Sequence, residues 1–354
     1  MRRLTALRSG KGRHIDGTRT SGPDERGAVT VFVALLLVVL MGFAAIAVDV
    51  GAMYAEKAQL QNGADSSALA IAGDCANGSC GDVNATGALL ANANSNDSSS
   101  GVSSITFPSA TTVRVETNTR DAGSGANSFS LFFARIMGFE TTDIRAVAEA
   151  TWGAPGAATT LPWTVSKCVF EKFLTASQLH ELNTTGNFTG DPIPTRILLR
   201  YDQNVPTFPG CAAQNGYAPG GFGWLDTDSG CTADIDIANS EVGSNPGNDL
   251  PNVCHDLPST IMKDPVLIPI FSTAVKNGQK TKYSLVGFLA FQVTGFKFGG
   301  GPTLTNLDPL APACNGGNCR GIQGYFTRFV SLDEGVSGGG GTPNYGASSV
   351  WLSK

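Results

Sequence analysis

Residues 28–48, AVTVFVALLLVVLMGFAAIAV, run for 21 positions without a charge. As an α-helix they rise about 31 Å at ~1.5 Å per residue, which matches a hydrocarbon core of roughly 30 Å and predicts one membrane-crossing helix. Beyond residue 48 the pattern becomes amphipathic: Val50, Met53, Leu60, Ala64, Ala68 and Ile71 recur at spacings of three, four and seven, with Glu56, Lys57, Gln59 and Asn62 on other faces. The helix is therefore expected to continue to about residue 72, one half in lipid and the other against protein. Residues 83–93 read as a short helix. Residues 104–107 and 112–117 alternate as strands, with Val113 and Val115 on one face and Arg114 and Glu116 on the other. Residues 129–137, FSLFFARIM, predict a helix ended by Gly138, and 142–151 a strand with Ile144, Ala146 and Ala148 in phase.

This pattern divides the chain into a disordered tail (1–27), the apolar helix (28–48), an α/β layer (49–152), a linker GAPGAATT (153–160), a β-rich region (161–334) and a Gly-rich flexible tail (335–354). Within the β-rich region the apolar runs 196–199, 266–271, 283–294 and 322–330 are bounded by Gly, Pro and Asn and read as strands, and 167–182 reads as a helix. In the last tail Tyr345, Val350 and Trp351 are the side chains available to dock the chain end. The fold class is α+β.

Two other readings of residues 28–48 compete with a permanent anchor. A cleaved signal peptide also joins a basic head to an apolar run, and Ala45-Ile46-Ala47 has the A-x-A form, but h-regions span roughly 7–15 residues. A buried core helix would seldom hold a charge-free run of this length beside a basic head. Arg2-Arg3 stands some 25 residues ahead of the run, too far for a twin-arginine export signal.

Charge sets the expected orientation. Seven cations (Arg2, Arg3, Arg8, Lys11, Arg13, Arg19, Arg26) and three anions (Asp16, Asp24, Glu25) precede the run, and downstream of Lys57 the next cation is Arg114. The excess of Lys and Arg puts the N-terminus in the cytoplasm and the bulk of the chain outside the cell membrane. Removing the tail's charges from the chain's 24 cations and 29 anions leaves 17 against 26, an acidic surface that excludes a nucleic-acid partner. The lipid bilayer is the first expected partner.

All eight cysteines, Cys75, Cys80, Cys168, Cys211, Cys231, Cys254, Cys314 and Cys319, lie after the apolar run. An even number on the expected outer side predicts disulfides. Nearest-neighbour pairing (Cys75 with Cys80, Cys168 with Cys211, Cys231 with Cys254, Cys314 with Cys319) is the favoured arrangement, although sequence leaves the connectivity open. The two C-x4-C pairs sit in Gly/Asn loops far apart, so no metal site and no cofactor are expected.

Catalytic signatures are missing from the sequence. His255 and Asp256 are neighbours whose side chains diverge on an extended chain, His180 has no partner motif, and no G-x-S-x-G occurs. Asp226, Asp228, Asp234 and Asp236 resemble the first half of a calcium loop, but the twelfth position counted from Asp226 is Ile237, and a plain Asx turn is the favoured reading. Trp224 with Phe222 reads as core ahead of a sugar platform. No catalytic residue is assigned.

The stretch from Arg26 to Gly73 resembles the N-terminal helix of the TadE/TadG-like family of Flp (tight-adherence) pilus assembly proteins. The residues that carry the likeness are Gly27, the Asp49–Gly51 step, Tyr54 and the LQNGADSSALA run with Leu60, Gln61, Asn62, Ala64 and Asp65. The resemblance implies a pilin-like helix on a small sheet and a non-enzymatic envelope protein whose partners are pilins or assembly-platform proteins. Members processed by prepilin peptidase carry Glu five residues after the cleavage Gly; counted from Gly27 that place holds Phe32, which implies a retained tail. The D-x-S-x-S motif of von Willebrand A domains, found in larger members, is missing, so ion-dependent adhesion is not implied. The alternative is a membrane-tethered extracellular adhesin or carbohydrate-binding module without a pilus.

Overall fold

The computed structural model describes residues 25–190, 194–201, 210–211, 222–228, 230–239, 241–243, 250–277, 280–299, 304–331, 336–338 and 343–354. Residues 1–24 of the expected N-terminal tail lie outside them, as do residues 335 and 339–342 of the expected C-terminal tail. The chain forms two compact units, one joining its N-terminal part through Tyr54 to Ser130–Thr141, the other joining Ala55–Phe129 to Thr142–Lys354. Helix α1, Glu25–Ala76, has 52 residues and a length of about 78 Å at ~1.5 Å per residue. It begins ahead of the apolar run, so residues 25–27, expected in the tail, are helical.

In the larger unit the inner face of α1 is the one the periodicity marked: Leu60, Ala64, Ala68, Ile71 and Ala72 are fully buried. Helix α2, Val83–Ala93, starts where the Asp82 carboxylate accepts the N–H groups of Asn84 and Ala85, each at 3.1 Å. The two helices touch closely. A Cβ on Gly63 would lie 3.1 Å from the Ala91 Cα, and the Ser67 hydroxyl donates to the carbonyls of Gly63 and Gly87 at 2.6 and 3.2 Å.

A five-stranded sheet belongs to the same unit, in the order Gly101–Ser109, Thr112–Asn118, Arg145–Gly153, Ala347–Leu352 and Phe329–Ser331; the last pair is parallel and the others antiparallel. Its alternation is that of the sequence, with Val113, Val115 and Thr117 buried and Arg114 paired outward with Glu149 at 3.0 Å. The row Ala146, Ala148 and Ala150 presents small buried side chains, and Thr117 Oγ1 donates to the Leu60 carbonyl at 2.9 Å, tying sheet to helix.

The β-rich part is built on a larger sheet with the order Ile197–Arg200, Gly321–Thr327, Lys280–Lys297, Val266–Asn277, Trp163–Ser166 and Phe222–Trp224; Glu241–Gly243 and Thr305–Asn306 also pair with the long strand Lys280–Lys297. Its core holds Trp163, Phe170, Phe291, Ile268 and Tyr345, all under 2% exposed. The Phe170 ring meets Phe326, Phe188 and Tyr345 edge-on with centroids 4.8, 5.6 and 5.7 Å apart. Disulfides join Cys75 to Cys80, Cys168 to Cys211, Cys231 to Cys254 and Cys314 to Cys319.

Four local expectations are corrected. Residues 153–160, read as a linker, contain the strand Pro155–Thr160, which pairs with Ala233–Asp236 and Ser337–Gly338; its Ala158 and Thr160 are small enough to be buried under neighbouring elements. The end of the expected flexible tail is the strand Ala347–Leu352, paired on both sides in the five-stranded sheet, with Ala347 through Val350 buried. Residues 167–182 form two helices, Lys167–Phe173 and Ala176–Thr185, because Thr175 and Gln178 make a capping box that starts a second helix. Residues 129–137 are not an α-helix. Phe129–Ser130 and Thr141–Thr142 form a ribbon, and within the excursion only Ala134–Met137 winds, as a 3-10 turn closed by Gly138 at φ 91°.

Candidate functional site

The smaller unit holds the feature that a water-facing fold does not require. Asp49 ends the charge-free run of α1 and is 6% exposed. Its Oδ1 accepts the N–H groups of Phe132 and Phe133 at 2.8 and 3.1 Å, and its Oδ2 accepts those of Phe133 and Ala134 at 3.0 and 2.7 Å. These amides open the 3-10 turn and would otherwise lack acceptors, so Asp49 acts as an N-cap supplied from 83–85 positions upstream. At the other end the Gly138 N–H reaches the Arg135 carbonyl at 3.0 Å and the Phe139 N–H the Ala134 carbonyl at 3.1 Å. Leu131 N–H closes the hairpin on the Glu140 carbonyl at 3.0 Å, and Arg135 Nε donates to the Leu131 carbonyl at 3.1 Å.

With its amides turned inward, the hairpin turns its apolar side chains out. Phe132, Ile136, Met137 and Phe139 are 77, 87, 61 and 65% exposed. Between hairpin and helix lies an open groove of about 480 Å³, lined on one side by Val39, Gly42, Phe43, Ile46, Val50 and Met53 and on the other by Leu131, Phe133, Ile136 and Met137. Sequence reasoning had Asp49 only as a motif residue and missed its partners. The available signal was five large apolar residues, Leu131, Phe132, Phe133, Ile136 and Met137, interrupted by Arg135 and stopped by Gly138.

The other motif residues fall into two groups. Leu60 and Ala64 are core, and Gln61 Nε2 donates to Asp65 Oδ1 at 2.8 Å and to the Val147 carbonyl at 3.1 Å, so Gln61, held by Asp65 one turn along the same helix, fastens α1 to the sheet. Gly51, Tyr54 and Asn62 are exposed; an added Cβ on Gly51 meets nothing within 4 Å, and Tyr54 is 73% exposed. Gly27 lies in the first turn of α1.

Side chains considered for chemistry are otherwise occupied or dispersed. His180 and His255 are both exposed, the first on the helix Ala176–Thr185 and the second just after the 3-10 turn Asn252–Cys254. Asp228 accepts the Asp234 N–H at 2.8 Å and Asp236 the Ala238 N–H at 2.9 Å, both local loop bonds, while Asp234 accepts the hydroxyl of Thr159, its partner on the neighbouring strand, at 2.7 Å. Ser229 of the same stretch lies outside the described residues. Among the described residues no three His, Cys, Asp or Glu side chains group to hold a metal ion. Trp224 is 3% exposed and packs edge-on against Trp163 at 5.3 Å, inside the core.

The best-organised polar centre of the larger unit is Asp308. Its Oδ1 meets Arg196 Nη1 at 3.2 Å and the Leu310 N–H at 2.9 Å, and its Oδ2 accepts the Thr294 hydroxyl at 2.5 Å. Its own N–H donates to buried Gln323 at 2.8 Å. Burial pushes this carboxyl up, but the Thr294 hydroxyl, the Leu310 amide and the Arg196 charge outweigh it and hold it below the usual carboxylate range. The centre is a structural clasp.

Among the described residues one helix, α1 from Val29 onward, is long and apolar enough to cross a membrane, and its most apolar stretch is nowhere buried within the chain. No curated protein and no solved structure matches this chain. Residues 27–74, the α1 segment that carries the exposed apolar run, Asp49 and the sheet-facing motif, match the family described as putative Flp pilus-assembly TadE/G-like.

Proposed function

We propose that this chain is a non-enzymatic, membrane-anchored envelope protein of Flp-type pilus assembly. Residues 28–48 cross the cell membrane with the N-terminus in the cytoplasm and the disulfide-bearing bulk outside. The observation that carries this reading is the coincidence of the family match with a helix whose apolar part is unburied. Four disulfides and the lack of a free cysteine among the described residues suit an oxidising compartment.

Pilins or platform proteins are the proposed partners. Gly51, Tyr54 and Asn62 belong to the matched stretch and are exposed, which leaves them open to another molecule. Within the membrane, Ala44 allows a second helix to approach closely, whereas Gly42 and Ala45 line the groove beside the hairpin.

Deleting the gene and restoring it on a plasmid tests the role: piliation and surface attachment are expected to fall and return. Unchanged piliation in a strain that normally expresses the protein rejects it, and attachment lost with pili intact points to the adhesin alternative. A tag after Lys354 that is accessible in intact cells is the expected topology result.

A further inference from the structure

Resting on the reading of α1 as a membrane-crossing helix, we propose that the hairpin at Ser130–Thr141 is a second membrane anchor. It lies in the hydrocarbon of one leaflet beside α1, with lipid acyl chains filling the groove between them. The first support is inverted polarity. Loops that face water carry polar tips and leave backbone amides to solvent, whereas here Phe132, Ile136, Met137 and Phe139 point out and the amides of residues 131–134, 136, 138 and 139 all have acceptors within the unit. Backbone groups immersed in lipid must be satisfied internally, because no water is there to replace a missing partner.

The second support is position. The groove is lined from Met53 back to Val39, and from Asp49 to Val39 the helix runs about 15 Å at ~1.5 Å per residue, which is half of a hydrocarbon core of roughly 30 Å. Most of its helical wall, Val39 to Ile46, is thus in the outer half of the charge-free run, with Val50 and Met53 just beyond the end of the run, and its mouth opens on whatever surrounds that part of the helix. A water-soluble partner would have to enter through the leaflet; acyl chains are already there. The charges fit the same placement: Asp49 follows the last residue of the run with its oxygens on hairpin amides, Arg135 Nε is taken by the Leu131 carbonyl, and Glu140 stands at the base of the hairpin next to Thr141.

The test uses the full chain with its disulfides intact, reconstituted in vesicles of phosphatidylethanolamine and phosphatidylglycerol. With no native thiol free among the described residues, an NBD fluorophore is attached separately to Ile136→Cys, Phe132→Cys, Leu36→Cys in the run and Leu310→Cys, which is 75% exposed in the larger unit. Mass analysis after alkylation verifies four disulfides in each protein. The Ile136, Phe132 and Leu36 probes are expected to emit to the blue, lose intensity with doxyl-labelled acyl chains and resist iodide, while the Leu310 probe does the reverse. If the Leu36 probe is in lipid but those at Ile136 and Phe132 are quenched by iodide, or shielded from both quenchers by a second copy, the hairpin anchor is overturned and the crossing helix stands. If the Leu36 probe itself is open to iodide, the crossing reading fails and the anchor falls with it.

Discussion

Replacing Asp49 isolates the contact on which the smaller unit rests. Asp49→Ala removes both oxygens and leaves three amides, those of Phe132, Phe133 and Ala134, without the acceptors they now have at 2.7–3.1 Å. The remaining ties of the turn are local, the Gly138 and Phe139 amides on carbonyls of the same turn and the Leu131 amide on Glu140. Loss of an ordinary helix cap makes an opening several-fold more populated; three amides held by one carboxylate should raise it roughly ten- to a hundredfold. Asp49→Asn keeps one acceptor oxygen and should fall between wild type and Ala. Hydrogen exchange of the full chain in nanodiscs, followed on a peptide covering residues 129–142, reads this directly, with a peptide over Gly321–Thr327 as the reference within the large sheet. The reasoning is refuted if exchange of the hairpin peptide is unchanged in Asp49→Ala, or if the reference peptide speeds up by the same factor, since the clasp would then be either idle or merely one part of global stability.

Three further outcomes follow from the larger unit. Substituting Cys168 and Cys211 by Ala, a pair separated by 43 positions, should cost about 4 kcal/mol in urea denaturation, against about 2 kcal/mol for Cys75 and Cys80, separated by 5; equal losses would contradict the loop-closure account. Gly324→Ala places a Cβ 1.9 Å from the Gln292 carbonyl oxygen across the strand pair, so it should destabilise by about 3 kcal/mol or prevent folding, read as a drop in melting temperature. Asp308 is depressed in the folded state, so its contribution is present above the unfolded carboxylate value of about 3.9 and is lost as pH falls through the lower folded value. The urea midpoint of wild type should therefore drop more steeply below about pH 4 than that of Asp308→Asn; parallel curves would show that the Thr294, Leu310 and Arg196 contacts do not favour the ionised form.

Where the sequence was readable, the deciding interactions lay within one element. Thr112–Asn118 could be recognised because its buried face is spelled by Val113 and Val115 at period two, and α2 because a capping aspartate, Asp82, immediately precedes a small-residue run. Composition misled at 153–160, since Gly, Ala and Thr suit a linker and also suit a strand buried beneath other elements; which one forms depends on the partner Ala233–Asp236, some 75 positions away. The C-terminal strand failed for a related reason: Ala347–Leu352 is held by Arg145–Gly153 and Phe329–Ser331, and no local period announces that pairing. The break after Phe173 was legible in principle, because Thr175 and Gln178 spell a helix start inside what looked like one helix.

The hairpin marks the limit of local reading most sharply. FSLFFARIM has helical spacing, but an α-helix there would need its first amides capped locally, and the side chain that takes them belongs to α1. This also constrains where such a clasp can sit. A carboxylate placed one turn further inward, near Ala45, would lie within the charge-free run, where an ionised group is costly if that run is in hydrocarbon. One turn further outward, near Met53, it would sit past the amides it now meets. If the turn faces lipid as proposed, Asp49, directly after the last residue of the run, is the innermost position at which a charged acceptor can hold it while its own outer side stays near water and headgroups. On this argument an Asp49→Ala, Ala45→Asp double variant should not restore hairpin protection in nanodiscs, even though the acceptor is returned to the same face of the helix one turn away.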